Sequence, residues 1–185
     1  MTRHAPVRRA RGFTLWELMI VVAVLGVTAA WGIPSFQAFV LDARRTADVN
    51  AFIIAVQLAR SEAAKRGRAV VLCKTLDQSS CGGDELRYDA GWMVFVDSDD
   101  LRPPHRSDVE PLLHFHAPQM LGSISANRPL FEFRAFGWRS TNGTVTFCDA
   151  RGPAAARAVI VSYTGRPRVD VIGPGDRPLQ CPDLP

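Results

Sequence analysis

The strongest constraint on this chain is an uncharged stretch of 24 residues, Leu18–Leu41. As an α-helix this stretch would be about 36 Å long, against a hydrocarbon core of about 30 Å. The first twelve residues hold no acidic residue but hold four arginines, namely Arg3, Arg8, Arg9 and Arg11. Because basic residues favour the cytoplasmic side, the sequence predicts a single membrane span with a cytoplasmic N-terminus.

One acidic residue, Glu17, lies at the start of this apolar stretch. Insertion of a carboxylate costs roughly 2.5–3.5 kcal/mol at a helix centre and less near an interface. An ordinary secretory signal also has a basic start and an apolar stretch, and Val27-Thr28-Ala29 would supply its small-residue cleavage site. That alternative predicts a mature chain beginning near Ala30, and it gives Glu17 no purpose.

The residues around Glu17, Arg11-Gly12-Phe13-Thr14-Leu15-Trp16-Glu17-Leu18, resemble the prepilin peptidase site of type IV pilins and type II secretion pseudopilins. The resemblance implies a leader peptide of residues 1–12, cleavage by prepilin peptidase between Gly12 and Phe13, and N-methylation of Phe13. It also implies that Glu17 acts in filament assembly, where it would neutralise the terminal amine of a neighbouring subunit. A buried charge is tolerated when it is paired and is costly when it is alone.

Beyond the apolar stretch, apolar residues continue at helical spacing: Val49, Phe52, Ile53, Val56, Ala59 and Ala63. This spacing predicts one helix from Phe13 to about Arg66, with an apolar stripe that packs on a sheet. Gly67 fits the position that follows a helix C-terminus.

After Gly67 the pattern changes to short β runs, with Gly, Pro and Asp clusters between them. The predicted strands are Ala69–Lys74, Gly91–Asp97, Pro111–His116, Leu130–Phe136, Thr144–Asp149, Arg157–Tyr163 and Arg168–Ile172. Residues 140–143, Ser-Thr-Asn-Gly, predict a hairpin turn between the fourth and fifth of these strands.

The predicted fold class is therefore α+β: a long N-terminal helix, transmembrane in its first half, packed on a C-terminal antiparallel sheet domain, as in the type IV pilin fold. We expect a leader peptide at 1–12, a transmembrane and filament-core helix at 13–41, and a periplasmic globular domain at 42–185. The partners expected from this family are other pilins, prepilin peptidase and the bacterial inner membrane.

Four segments of the β region resemble the GspH/FimT branch of the family, namely Gly91–Asp97, Phe136-Gly137, Gly143–Asp149 and Thr164-Gly165-Arg166. The resemblance implies a minor pilin of a type IV pilus, similar to FimT, which is exported and then built into a filament. The alternative is an H-type pseudopilin of a type II protein secretion system. A periplasmic binding module released by signal peptidase is a third, less favoured interpretation.

The distribution of charge limits where an acidic partner would bind. Residues 13–117 carry 10 basic and 13 acidic side chains, whereas residues 118–185 carry 8 and 5. The sequence pI of about 9.2 therefore reflects the leader and the C-terminal third of the chain, not the chain as a whole.

Within that third, Gly165-Arg166-Pro167-Arg168 resembles the Gly-Arg-x-Arg element of DNA-binding FimT-type minor pilins from naturally competent bacteria. In an extended strand, residues i and i+2 share a face. Arg166 and Arg168 are thus candidates to bind phosphates of double-stranded DNA during uptake. Four further arginines are candidates to extend the patch, namely Arg134, Arg139, Arg151 and Arg157.

The four cysteines form an even number, which fits two disulfides in an oxidising compartment. The sequence permits three pairings, and we favour Cys73–Cys81, which closes a short loop, with Cys148–Cys181, which ties the C-terminal tail to the domain. No Cys-x-x-Cys pair is present, so a zinc site is disfavoured.

Other polar clusters have simpler explanations than a ligand site. Residues 97–100, Asp-Ser-Asp-Asp, fit a solvated turn better than a calcium loop, because EF-hand spacing is missing. His114 and His116 share a strand face without an identifiable third metal ligand. The sequence contains no recognisable catalytic motif, and we predict no enzymatic activity, no cofactor and no metal.

Overall fold

The computed structural model describes residues 12–99, 104–107, 109–135 and 140–182. Its elements in chain order are helix α1 (Leu15–Arg66), β1 (Ala69–Lys74), a short 3₁₀ helix (Tyr88–Ala90), β2 (Trp92–Asp97), β3 (Leu112–His116), β4 (Gly122–Ala126), β5 (Leu130–Phe133), β6 (Gly143–Asp149), β7 (Arg157–Val161) and β8 (Pro167–Asp170). The chain divides into two compact units, Met1–Val40 and Leu41–Pro185.

The described part of the first unit is mainly the beginning of α1, and its side chains are exposed. Helix α1 is, among the described residues, the helix whose length and composition would allow it to cross a membrane. Its most apolar 18-residue window has a mean hydropathy of 2.0, and none of that window is buried inside the protein. Within the described residues, these apolar side chains therefore have no covering.

In the second unit, the later part of α1 buries one stripe of side chains. Four residues of the predicted stripe, Phe52, Val56, Ala59 and Ala63, are fully buried. The helix ends at Gly67, whose N–H donates to the Ala63 carbonyl at 3.0 Å and whose φ is +67°. Glycine adopts this left-handed conformation without strain, so the predicted helix end is confirmed.

The strands form two four-stranded antiparallel sheets. One sheet has the order β3-β2-β1-β5 and the other has the order β4-β6-β7-β8. All six residues of β1 and all six of β2 are buried, because these central strands are covered on both faces. In β1, Val70 and Leu72 face the main core, and Val71 and Cys73 face a smaller cluster on the opposite side.

Phe52 lies where α1 meets both sheets. Its ring makes edge contacts with four aromatic rings, at centroid distances of 5.5–6.1 Å, namely Tyr88, Trp92, Phe131 and Phe147. Trp92 and Phe131 belong to the first sheet, and Phe147 belongs to the second. One helical side chain therefore joins the two sheets into one hydrophobic core.

Two disulfides close the smaller clusters on the outer faces of the sheets. Cys73 is bonded to Cys81, and Cys148 is bonded to Cys181, which are the pairs favoured from the sequence. The second bond holds the C-terminal segment against the second sheet, where Leu179 is buried.

Strand β4 is not among the strands predicted from the sequence. Its residues are Gly-Ser-Ile-Ser-Ala, and Ile124 is its only large apolar side chain. Ile124 is fully buried in the main core, while the small residues around it carry little β signal. Pairing with β6 stabilises this strand, and that long-range contact is not visible in the local sequence.

The predicted hairpin between the fourth and fifth predicted strands is wrong. Strand β5 pairs with β1 in the first sheet, whereas β6 pairs with β4 and β7 in the second. Gly143 is needed for a different reason, since a Cβ atom there would lie 2.8 Å from both Arg128 Cγ and Asn127 Oδ1. Close packing, not a tight turn, explains the glycine.

Candidate functional site

The predicted peptidase site lies immediately before α1. Gly12 and Phe13 are exposed, and 89% of the Phe13 surface is accessible. A Cβ atom built on Gly12 would meet no atom within 4 Å. The described end of the chain therefore presents the peptide bond between these residues without steric cover. The rest of the predicted leader, residues 1–11, lies outside the described residues.

Thr14 and Glu17 form a reciprocal cap at the N-terminus of α1. The Thr14 backbone N–H and hydroxyl each donate to Glu17 Oε2 at 3.0 Å, and the Glu17 N–H donates to Thr14 Oγ1 at 3.2 Å. This arrangement is a capping box, which satisfies two orphan amides of a helix end. The carboxylate of Glu17 thus already has two hydrogen bonds within a single subunit. The Thr-x-x-Glu spacing could have revealed this from the sequence.

The predicted DNA-binding residues lie in and after the turn between β7 and β8. The Gly165 N–H donates to the Ser162 carbonyl at 2.8 Å, and the Ser162 N–H donates to the Arg166 carbonyl at 3.1 Å. Gly165 has a φ of +70°, a conformation that favours glycine. Arg166 is exposed and lies between this turn and β8, and Arg168 is exposed on β8 itself.

Arg168 lies on β8, the edge strand of the second sheet, opposite Ile160 of β7. Its guanidinium is 3.3 Å from the Asp170 carboxylate, and 64% of its side chain is exposed. Exposed ion pairs contribute little, about 0–1 kcal/mol. A phosphate can therefore compete with Asp170 for this guanidinium.

Three of the other arginines considered for the patch already have partners. Arg134 Nε is 2.5 Å from Glu132, and Arg151 Nη2 is 2.6 Å from Asp149. Arg157 donates to the carbonyl of Ala156 at 2.9 Å. The fourth, Arg139, lies outside the described residues. These contacts make the three described arginines poorer phosphate ligands than Arg166.

A buried ion network, missed by the sequence analysis, connects α1 to β6. Arg45 on the helix is 96% buried, and its guanidinium donates to Asp149 at 3.1 Å and also pairs with Asp42. Arg151 donates to both carboxylates. Hydrogen bonding from Arg151 holds the pKa values of Asp149 and Asp42 below the usual range and raises the pKa of Arg151.

A second buried carboxylate, Asp48, connects α1 to the segment after β3. It accepts hydrogen bonds from the Met120 N–H at 2.7 Å and the Gln119 N–H at 3.0 Å, and it lies 2.8 Å from His116 Nε2. The His116 ring also packs on Trp92, with centroids 4.5 Å apart. These contacts give His116 a structural role, and burial lowers the pKa of its neighbour His114.

The acidic segment after β2 folds back on Glu110. One carboxylate oxygen from each of Asp97, Asp99 and Glu110 lies within 4.8 Å of the other two. Asp100 lies outside the described residues. Glu110 accepts hydrogen bonds from the backbone N–H groups of Ser98 at 2.5 Å and Ser107 at 2.9 Å. Its buried carboxylate therefore closes this loop through backbone contacts.

Comparison with known protein families gives two matches. The family described as type II transport protein GspH matches residues 48–165, and the prokaryotic N-terminal methylation motif matches residues 7–33. The first match covers most of the second structural unit. The second includes the described residues that form the capping box.

Comparison with individual proteins also finds pilins. A fimbrial protein of Pseudomonas aeruginosa is 35% identical over 82 residues, which is 44% of this chain and 48% of the relative. The type IV major fimbrial protein FimA of Dichelobacter nodosus is 32% identical over 81 residues, or 44% and 42%. The chain thus spans about half the length of the curated relatives it matches.

Two crystal forms of the type IV minor pilin FimU from Pseudomonas aeruginosa share the fold, each with a TM-score of 0.50 and 20% identity. The alignments cover 74% and 78% of this chain and 96% of each FimU chain. The family and these structures are pilins, which are structural filament subunits and not enzymes.

Proposed function

The chain belongs to the GspH family of type IV pilin-like proteins, and we propose that it serves as a minor pilin of a type IV pilus. The observation that carries the proposal is the exposed Gly12–Phe13 bond followed by a capped, uncovered apolar helix. The fimbrial relatives and the segment Gly165–Arg168, here called the basic turn, favour the pilus over the secretion machine.

In this proposal, the chain enters the inner membrane through residues 13–41, with its N-terminus in the cytoplasm and residues 42–185 in the periplasm. Prepilin peptidase removes residues 1–12, and the new amine of Phe13 is methylated. Both disulfides fit a periplasmic domain, since disulfides persist in oxidising compartments.

Assembly then changes the partners of Glu17. Before assembly, the hydrogen bonds from Thr14 lower the cost of holding this carboxylate near lipid. In a filament, the positive amine of a neighbouring Phe13 pairs with Glu17, and the apolar surfaces of adjacent helices cover one another. The ionic pair favours one register, because a misplaced subunit would leave both charges buried alone.

The N-terminus of the mature protein tests the processing step. Intact-mass analysis of the protein from membranes and from sheared filaments is expected to give a chain that begins at Phe13 with one added methyl group. A mature chain that begins at Ala30 would instead identify a secreted module. A chain that retains residues 1–12 in filaments would also overturn the proposal.

Replacement of Glu17 by Gln tests the assembly step. We expect Glu17→Gln to be processed and retained in the membrane but to be depleted from the sheared filament fraction, as measured by immunoblot. Glu62→Gln is the matched control, because Glu62 lies on the same helix outside the apolar stretch. Equal incorporation of both variants would rule out the role of Glu17.

We also propose that the basic turn binds double-stranded DNA during uptake in natural transformation. The support is the exposure of Arg166 and Arg168 and the weakness of the one ion pair that Arg168 makes. Contacts of this kind bind phosphates and read no sequence. Modest affinity that falls as salt rises is therefore expected.

Fluorescence anisotropy with a labelled duplex and the full chain in detergent tests DNA binding. The double variant Arg166→Ala plus Arg168→Ala is expected to lose most of the affinity at low salt. The control is Arg44→Ala plus Arg177→Ala, which removes the same charge from exposed arginines outside the turn. If both double variants bind equally, the assignment of the turn is wrong.

The alternative is an H-type pseudopilin of a type II secretion system, and the description of the matching family favours it. The two machines share the peptidase site, the helix and the sheet domain. The neighbouring genes separate them: other minor pilins with a large tip adhesin indicate a pilus, whereas a secretion operon indicates the pseudopilin.

A further inference from the structure

The turn that contains Gly165 packs against a side chain of α1. A Cβ atom built on Gly165 would lie 2.9 Å from Arg60 Cδ and 3.1 Å from both Cγ and Nε of the same side chain. The stem of Arg60 therefore occupies the space that a larger residue at position 165 would need. The φ of +70° favours glycine here, and a larger residue would also displace the Arg60 side chain.

This contact brings the Arg60 side chain to the turn that precedes Arg166. Because consecutive Cα atoms are 3.8 Å apart, Arg60 Nε lies no more than about 9 Å from the Arg166 Cα. Two segments that are distant in sequence, a helix and a hairpin turn, thus each contribute an arginine to the surroundings of Gly165. Local sequence spacing gave no indication of this juxtaposition.

Arg60 is also available to bind a ligand. Throughout the described ranges, no carboxylate or carbonyl oxygen pairs with its guanidinium, and its side chain is partly exposed. On α1, its neighbours three and four residues away are Val56, Gln57, Ala63 and Ala64, none of them acidic. Arg134, Arg151 and Arg157, by contrast, already have oxygen partners.

We propose that Arg60 is a third phosphate-contacting residue of the DNA site, acting at the turn beside Arg166, while Arg168 extends the site along the edge strand β8. This inference rests on the proposed DNA binding by the turn. Packing of the Arg60 stem against Gly165 restricts where its guanidinium can lie, so less entropy is lost when it binds an oxyanion. The site then contacts the duplex from two structural elements.

Each neutralised phosphate adds a defined increment to the salt dependence. Log affinity falls with log salt with a slope of about −0.9 for each contact, so three contacts give about −2.7 and two give about −1.8. The loss of Arg60 is therefore expected to reduce both the affinity and the steepness of its salt dependence. A residue that only supports the fold would not change this slope while DNA binding persists.

The experiment compares Arg60→Gln with Arg44→Gln in the full chain in detergent. Both variants remove one exposed or partly exposed arginine from the same helix, and Arg44 lies more than four turns away from Arg60. Anisotropy with a labelled duplex is measured between about 50 and 200 mM salt. We expect several-fold weaker binding and a slope shallower by about 0.9 for Arg60→Gln, with no change for Arg44→Gln.

The outcomes separate this inference from the function on which it rests. If the wild type binds DNA and Arg166→Ala plus Arg168→Ala abolishes binding, but Arg60→Gln matches Arg44→Gln, only the role of Arg60 is wrong. If the wild type does not bind DNA, the proposed function and this inference both fail.

Further variants distinguish charge from packing. Arg60→Lys keeps the charge and is expected to retain most of the salt slope. If Arg60→Gln melts at a lower temperature than the wild type, Arg60→Met replaces it, because Met keeps an apolar stem against Gly165. A normal salt slope in Arg60→Met would overturn the proposal.

Discussion

At the scale of single residues, Asp149 and Arg45 show how α1 is fixed to the second sheet by a buried charge pair. Both side chains are almost inaccessible, and each has more than one partner, since Arg151 and Asp42 complete the network. The desolvation cost of such a pair is compensated only while every member is present. Loss of one member is therefore expected to cost more than the intact network adds to net stability.

Removal of one partner of this pair should be costly. Asp149→Asn is expected to lower the free energy of unfolding by about 3 kcal/mol, the lower end of the range for a broken buried pair, because buried Arg45 would lose its buried countercharge and keep only Asp42, which is 51% exposed. Chemical denaturation monitored by circular dichroism measures the change. Lys65→Gln is the control, since the 75% exposed Lys65 pairs with Glu62 at 3.7 Å and should cost less than about 1 kcal/mol. A loss for Asp149→Asn as small as the control's would contradict this account.

At the scale of elements, α1 has two different environments along its length. Its beginning exposes an apolar surface that no other described residue covers, and its later part buries a stripe against two sheets. Phe52 is the centre of that stripe, because its ring contacts aromatic residues of both sheets. The helix is thus the common support of strands that do not pair with each other.

Truncation of Phe52 should affect both sheets at once. Phe52→Ala is expected to destabilise the protein by about 3–5 kcal/mol, through lost burial and the cavity that remains. Ile54→Ala on the same helix removes a side chain that is 59% exposed, and a change within about 0.5 kcal/mol is expected. Equal melting temperatures for the two variants would show that Phe52 does not join the sheets.

The elements also show which features the sequence could predict. The helix, its buried stripe and the strands around Val94 and Val159 have strong periodic signals, and they were found. Strand β4 was missed because it depends on pairing with β6, and Asn142-Gly143 was misread because Gly143 serves packing. In both cases the structure depends on contacts between residues that are distant in sequence, and a local sequence pattern does not reveal such contacts.

The same limit applies to the candidate site. The residues of the peptidase motif and the basic turn are contiguous in sequence, so Gly12, Phe13 and Arg166 could be singled out. Arg60 is 105 positions away from Gly165, and only the fold brings them into contact. The partners that occupy Arg134 and Arg151 are likewise visible only in three dimensions.

At the scale of the whole molecule, acidification should lower the free energy of unfolding of the second unit, Leu41–Pro185. Hydrogen bonding from Arg151 keeps the folded-state pKa of Asp149 below the value of about 3.9 that an unfolded chain has. The folded state therefore binds fewer protons than the unfolded state near that pH. The resulting stability is fully present above about pH 4 and is lost as the pH falls through the folded-state value.

Thermal melting between pH 7 and about pH 3 tests this linkage. The wild type is expected to lose melting temperature on acidification, and Asp149→Asn is expected to lose less from its lower starting value. Asp77 also has a lowered pKa but lies outside this network, so it contributes equally to both proteins. Asp42 shares Arg151 and Arg45 with Asp149, so the difference between the two curves reports the network that contains Asp149. Parallel curves for the two proteins would exclude a contribution from Asp149.

The bond between Cys148 and Cys181 encloses β7, β8 and the turn between them in one covalent ring. A protease that nicks the backbone once anywhere inside this ring produces two pieces that still migrate as a single band until a reductant is added. A cut in the exposed turn between β7 and β8 would therefore leave both strands covalently attached to the rest of the chain. A damaged subunit would keep its place in a fibre.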